Sequence, residues 1–289
     1  MDARLQRRVQ RYGWDLAAAS YESLWQSQLA AAQSELLSLA ALRRGENVLD
    51  VACGTGLVSF DAARAVGPEG HVLGVDISEL MVKAARKRAP AEGLENTAFE
   101  RMDAEDLVLP DASQDAALCA LGLMYMPEPE RAVDEMRRVL RPGGRMVLAV
   151  WGERARCGWS ALFPIVEAEV ASDVCPLFFR LGQGDTLSRL CADAGFEHVE
   201  ARRIAVTLDY MNAEQACDAA FVGGPVAIAW SRFDEPTRAR VRARYIEAIT
   251  PWQRAQGYQI PGEFVVVAAA NWTGGATRVI GPTLGIRTV

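Results

Sequence analysis

The chain has 289 residues, half of them apolar and 24% charged, enough to bury about three quarters of its extended surface without disulfide or metal staples. Its 37 acidic residues outnumber the 31 basic ones, for a net charge of −6, so no diffuse positive field is available to hold a polyanion. Only two histidines are present, which weighs against a histidine-rich metal site or a histidine-centred triad.

Residues 1–14 carry charges throughout and lack the apolar core of a secretory signal, and no apolar run reaches the length of a membrane span. The six cysteines, Cys53, Cys119, Cys157, Cys175, Cys191 and Cys217, lie far apart with no C-x-x-C pair, and read as reduced, buried thiols. A cytoplasmic protein, monomeric or homodimeric, is the expectation. Residues 15–42 place leucines at helical spacing and predict one or two helices, with Tyr12, Trp14, Tyr21 and Trp25 clustered at their start.

Beyond Gly45 short β-branched runs alternate with Ala/Arg-rich stretches, the pattern of a parallel sheet with crossover helices. Strands are predicted at 47–52, 71–75, 97–101, 116–121 and 145–151, and helices at 57–66, 79–88 and 129–140. Arg141-Pro142-Gly143-Gly144 stops the last of these helices. An amphipathic segment, 158–174, then interrupts the alternation, which resumes with a helix at 186–194 and a strand at 199–208. A second interruption, 209–262, holds predicted helices at 213–221 and 236–249. The compact apolar run 263–270 reads as a last, antiparallel strand, and 274–289 as a mobile tail. The chain thus reads as a single domain. Residues 1–44 form an N-terminal helical lid, 45–152, 186–208 and 263–272 the core, 153–185 and 209–262 a substrate lid, and 273–289 the tail.

In an open α/β sheet the ligand lies beyond the carboxyl ends of the strands. The first strand runs into Asp50-Val51-Ala52-Cys53-Gly54-Thr55-Gly56, where glycines allow a tight turn and close approach to a helix N-terminus. Twenty residues beyond Gly56, the second strand ends in Asp76, a carboxylate placed to accept bonds from a ribose diol. Met102-Asp103-Ala104-Glu105 follows the third strand and Leu121-Gly122-Leu123-Met124-Tyr125 the fourth. Each piece alone fits a turn or a helix cap. Their occurrence at successive strand ends points to a nucleoside-bearing cofactor.

Val48 to Gly56, then Gly74-Val75-Asp76-Ile77-Ser78, Asp103-Ala104 and Arg141-Pro142-Gly143-Gly144 resemble the class I S-adenosylmethionine-dependent methyltransferases of small molecules. The group of quinone-biosynthesis C-methyltransferases is similar too. The resemblance implies a Rossmann-like, seven-stranded, mostly parallel sheet with an antiparallel last strand, helices on both faces, helical lid insertions and S-adenosyl-L-methionine as cofactor. By the same resemblance Asp50 would orient the methionyl amino group, Ala52 to Gly56, Cys53 included, would pass under methionine and ribose, and Asp76 would bind the ribose hydroxyls. Ile77 would pack on adenine, Asp103 and Ala104 would read its edge, Leu121 and Gly122 would lie near the sulfonium, and Tyr12 and Tyr21 would close over the methionine end. Ala52 stands where many relatives carry glycine, a methyl expected to be tolerated on strand-like backbone. Val150-Trp151-Gly152 differs from the Glu-containing ending of the quinone enzymes.

Methyl transfer gains most from alignment and exclusion of water, and needs a base only for a neutral hydroxyl or amide acceptor. His71 and His198 fall at the amino-terminal edge of the sheet, so a base would be a carboxylate or tyrosine of the lids, with Tyr21, Tyr125 and Tyr210 as candidates. The lid aromatics Trp159, Phe163, Phe178, Phe179, Tyr210, Phe221, Trp230, Trp252 and Tyr258 could wall an apolar pocket or simply pack their own helices. Arg238, Arg240, Arg242 and Arg244 spread over a wide arc and read as a solvated face. The expectation is O- or N-methylation of a small, fairly apolar acceptor, with no metal and no nucleic acid. C-methylation of a quinone-like acceptor, a nicotinamide oxidoreductase and a non-catalytic cofactor-binding module are the alternatives.

Overall fold

The computed structural model describes residues 3–170 and 178–272. Cys175 and the predicted tail 274–289 lie outside the described residues, as does part of the amphipathic segment 158–174. In chain order the elements are α1 (Ala3–Ala17), α2 (Tyr21–Ala40), β1 (Asn47–Val51), α3 (Leu57–Val66), β2 (His71–Asp76), α4 (Glu79–Arg88), β3 (Thr97–Arg101), β4 (Gln114–Ala120), α5 (Pro129–Val139) and β5 (Leu140–Trp151). Then come α6 (Leu162–Glu167), α7 (Thr186–Asp193), β6 (Glu197–Tyr210), α8 (Ala213–Phe221), α9 (Ala227–Arg232), α10 (Glu235–Ile249) and β7 (Tyr258–Ala270).

The seven strands form one sheet in the order β3-β2-β1-β4-β5-β7-β6, with β1 to β5 mutually parallel and β7 antiparallel to both β5 and β6. Val48, Leu49 and Val51 of β1 and Ala116 to Cys119 of β4 are buried, as continuous apolar strands covered on both faces must be. The outer strand β6 instead carries Glu197, Glu200, Arg202 and Arg203, charges that blunt an unpaired edge. The strand order reverses between β1 and β4, which opens a crevice at their carboxyl ends. Both histidines lie away from it, His71 opening β2 and His198 the second residue of β6.

Several elements differ from the sequence expectation. Helix α1 begins at Ala3 rather than near residue 15, with Arg7 held by acidic side chains from the rest of the fold, a contact that leaves no apolar period in the sequence. Strands β6 and β7 run past the sheet as a two-stranded ribbon, so β7 starts at Tyr258 and pairs Tyr258 with Tyr210. Helix α9 within the second insertion is an addition, a six-residue element too short to show a period.

At the carboxyl end of β5, a side chain on Gly182 would collide with the main-chain oxygens of Trp151 and Gly152. Next to it the buried Glu263 accepts from Arg203 (2.7 Å) and from the Glu153 N–H (3.1 Å), tying β7 to the first insertion. Gly182→Ala should therefore lower stability by about 1–3 kcal/mol through overpacking against backbone, read as a reduced urea midpoint.

Candidate active site

The turn after β1 is built by unusual backbone. Gly54 and Gly56 have φ of +55° and +88°, and the Gly56 N–H donates to the Cys53 carbonyl (3.0 Å) before α3 begins. Ala52 also lies in the left-handed region, at φ +54°, which corrects the expectation of strand-like backbone there. An alanine in this region costs about 1–2 kcal/mol relative to glycine, and Leu121 at φ +65° carries the same kind of strain at the end of β4. The two residues are neighbours through Gly122, since a Cβ on Gly122 would occupy the position of the Ala52 methyl.

Asp76, at the end of β2, accepts from the N–H of Gly54 (2.9 Å) with one oxygen and from the N–H of Ser78 (2.8 Å) with the other. Asp50 is buried below the turn and accepts from the Ser59 hydroxyl (2.5 Å). Burial pushes Asp50 up to about 7, with the nearby Asp76 charge adding to the rise against the Ser59 hydrogen bond. Burial likewise pushes Asp76 up to about 6, although the Ser78 and Gly54 N–H groups favour its charged form. Burial and the same two carboxylates raise the Tyr21 hydroxyl well above its ordinary value, so Tyr21 stays protonated.

A cleft lies over this floor. Ala52, Gly54, Asp76, Ile77, Asp103, Ala104, Leu121 and Gly122 line it, together with Tyr21 and Tyr125. Asp50, Cys53 and Gly56 sit beneath the lining and shape the turn. Tyr12 does not line it: its ring is 47% exposed, about 140° around α1 from Arg7. Arg7, Gln10 and Trp14, spaced i, i+3 and i+7, form the face of α1 that does. That spacing was visible in the sequence, but only to a reading that starts the helix at Ala3. Tyr210 is also removed from the site, buried in the core at the far end of β6.

Helix α1 is fastened across the cleft at both ends. Arg7 donates to Glu105 and to Glu128 (2.6 Å) and lies 3.4 Å from Asp103. Asp15 accepts from the Ser78 hydroxyl (2.6 Å) and the Leu80 N–H (3.2 Å) at the start of α4. Glu105, whose position after β3 gave no separate signal, is the buried anchor, and it also accepts from the Glu128 N–H (2.8 Å).

A second, narrower cavity adjoins the first and shares Trp14, Tyr21, Leu121 and Tyr125 with it. Its other walls include Trp25, Trp151, Trp159 and Phe178, and no carboxylate, imidazole or amine lines it among the described residues. Of the aromatics expected to wall a pocket, Trp159 and Phe178 do so. Phe221 and Trp230 instead stack on one another at 4.7 Å within the second insertion, and Tyr258 pairs with Tyr210. The arginines of α10 pair locally, Arg240 and Arg244 with Glu169 and Arg242 with Asp218.

Residues 42–175 match the model of a methyltransferase domain family. The chain is 37% identical over 131 residues to a demethylmenaquinone methyltransferase of Listeria welshimeri, a match covering 45% of this chain and 56% of that protein. It thus spans little more than half the length of that relative. It is 32% identical over 178 residues to a ubiquinone/menaquinone biosynthesis C-methyltransferase of Azotobacter vinelandii, covering 56% of this chain and 70% of that one. Among solved structures, a Bacillus halodurans protein assigned as a methyltransferase superposes with a TM-score of 0.61 at 21% identity, over 84% of this chain and all of the other, a likeness of fold.

Two outcomes follow from the floor of the cleft. Gly122→Ala should cost about 1–3 kcal/mol by overpacking, and the double variant with Ala52→Gly should recover most of it, measured as urea midpoints. The second concerns pH. A carboxyl whose folded pKa is raised loses stability as pH rises from its ordinary range through the folded value, so Asp50 and Asp76 should make the ligand-free protein less stable at pH 8 than at pH 5. Asp50→Asn should flatten that dependence in unfolding titrations across pH 5–8.

Proposed function

This chain belongs to the S-adenosylmethionine-dependent methyltransferases, and from that premise we propose that it methylates a small, planar, largely apolar acceptor seated in the aromatic cavity beside the cofactor cleft. The observation that carries this reading is that the two cavities share Tyr21, Leu121 and Tyr125 as walls.

The residues present fit the cofactor. Asp76 uses one lone pair on each oxygen for Gly54 and Ser78 and keeps others for two ribose hydroxyls. Ile77, Met81 and Met102 offer apolar surface to an adenine, with Asp103 and the Ala104 N–H at its edge. The buried carboxylates Asp50 and Asp76 give the floor a negative potential suited to a sulfonium. Gly54 leaves open backbone below Tyr21, whose ring stands 3.8 Å from where a side chain on Gly54 would begin. When bound, S-adenosylmethionine supplies an electrophilic methyl group: the bond to the acceptor atom forms as the sulfur–carbon bond breaks, its electron pair staying on sulfur.

The chain's own contribution is positioning and exclusion of water. Helix α1, fastened through Arg7 and Asp15, covers the cofactor side, while the aromatic walls dry the acceptor side. Tyr21, held protonated, can donate a hydrogen bond but serves poorly as a base. With no carboxylate, imidazole or amine lining the aromatic cavity among the described residues, the acceptor is read as arriving already nucleophilic, as a phenolate, an enolate or an electron-rich ring. O- or N-methylation remains the first reading for such a pocket. Methylation at a ring carbon of a quinone-like acceptor is the second, favoured by the names of the two relatives.

Calorimetric titration should show binding of S-adenosylhomocysteine and none of a nicotinamide dinucleotide. Asp76→Asn should weaken that binding about 10- to 100-fold, the worth of charge-assisted hydrogen bonds, with the circular dichroism spectrum unchanged. Transfer of an isotope-labelled methyl to a panel of phenols, quinols and amines tests turnover, and the chemical shift of the label identifies the acceptor atom. Binding without transfer to any acceptor would favour a non-catalytic module, and no homocysteine-product binding would sink the proposal.

A further inference from the structure

Two buried donors in the aromatic cavity have no partner. Trp25 on α2 and Trp159 in the short turn 158–161 are 6% and 2% exposed, and the indole Nε1 of each is buried without an acceptor among the described residues. Their rings lie 6.3 Å apart, each also packed edge-on against Trp151. Both line the cavity that meets the cofactor cleft at Leu121. Folding gives these N–H groups no protein acceptor among the described residues, and buried donors of this kind are ordinarily completed by a water, an ion or a ligand.

We propose that the Trp25 and Trp159 indole N–H groups form an oxygen-binding site that holds a carbonyl, phenolic or enolate oxygen of the acceptor during methyl transfer. This rests on the methyltransferase reading and narrows it to oxygen-bearing acceptors. An indole N–H only donates, so the bound group must present a lone pair and cannot be an ammonium. The surrounding walls are apolar, so a fixed donor there acts more strongly on a negative oxygen than it would in water. Neither indole can accept a proton, so the pair stabilises an oxygen already anionic or polarised and performs no acid–base step. Such a site suits a nucleophile whose charge sits on oxygen or on a conjugated carbon, and it disfavours amines and plain hydrocarbons.

The test uses the full chain saturated with S-adenosylhomocysteine and two probes of like shape, 1-naphthol and naphthalene. The wild type should bind 1-naphthol at least about tenfold more tightly, the preference expected from a completed buried hydrogen bond. By ultraviolet spectrum, 1-naphthol bound to the wild type should ionise at lower pH than when bound to either indole variant, because burial raises its ionisation as it does that of Tyr21 and the two N–H groups offset part of the rise. Trp159→Phe and Trp25→Phe should each reduce the preference and move the ionisation to higher pH, while homocysteine-product affinity stays within about threefold of wild type. The preference of the wild type for 1-naphthol over naphthalene is read without any variant, so a poorly folding substitution leaves the proposal exposed to refutation. Equal affinity for the two probes, absence of 1-naphthol binding, an ionisation that neither substitution moves, or a preference that survives both substitutions overturns it. If S-adenosylhomocysteine itself fails to bind, the underlying methyltransferase reading falls, an outcome distinct from loss of oxygen recognition alone.

Discussion

The Asp76 carboxylate is the joint on which the site depends. One oxygen fixes the N–H of Gly54 in the turn after β1, and the other fixes the N–H of Ser78 at the start of α4. The Ser78 hydroxyl then caps α4 at Met81 (3.1 Å) and donates to Asp15 of α1. Four chain segments thus meet at one buried acid. Such a group is unfavourable when ionised in apolar surroundings unless its lone pairs are used, and two backbone donors leave it part-satisfied. A ligand carrying hydroxyl donors would complete the set.

The N-terminal lid follows from this joint and from a second cluster of charge. Arg7 reaches Asp103, Glu105 and Glu128, and Glu105 is buried enough that removing its guanidinium partner would leave an uncompensated charge. The outer face of the helix exposes Arg4 and Arg8 beside Leu5, Tyr12 and Leu16, and Ala17 is its one buried residue. Polar anchors at its ends therefore hold it over the cleft, where hydrophobic packing alone would not. Anchors of that kind can open when their partners change, which suits a cover over a site that must admit a cofactor.

The acceptor side is built differently, from packed rings. Trp25 comes from α2, Trp151 from the end of β5, and Trp159 and Phe178 from the first insertion, so the cavity forms only when three separated stretches converge. Trp151 packs on Phe264 of β7 at 4.2 Å between ring centroids, so the last strand buttresses the cavity wall. The Val150-Trp151-Gly152 ending of β5 supplies this wall where a glutamate would supply charge. Glycine at position 152 leaves room for the carboxylate of Glu263, which the sheet directs to Arg203 and away from the cavity.

The sequence by itself determined the sheet and the floor of the cleft. Runs such as Val48-Leu49-Asp50-Val51 and the glycines and acid that follow them are local signals, set by strand burial and by backbone that needs positive φ, and so legible without tertiary contacts. Gly54, Asp76, Asp103 and Gly122 accordingly stand at the cleft where their spacing placed them. Other features had no local mark. The left-handed backbone of Ala52 arises because Gly122 makes room for its methyl from another strand, and the exclusion of Tyr12 and Tyr210 depends on how α1 rotates and how far the β6–β7 ribbon extends. Arg7, Glu105 and the convergence of Trp25 with Trp159 were decided only by the tertiary structure, because ion pairs and ring packing between residues about a hundred positions apart have no period in the sequence to announce them.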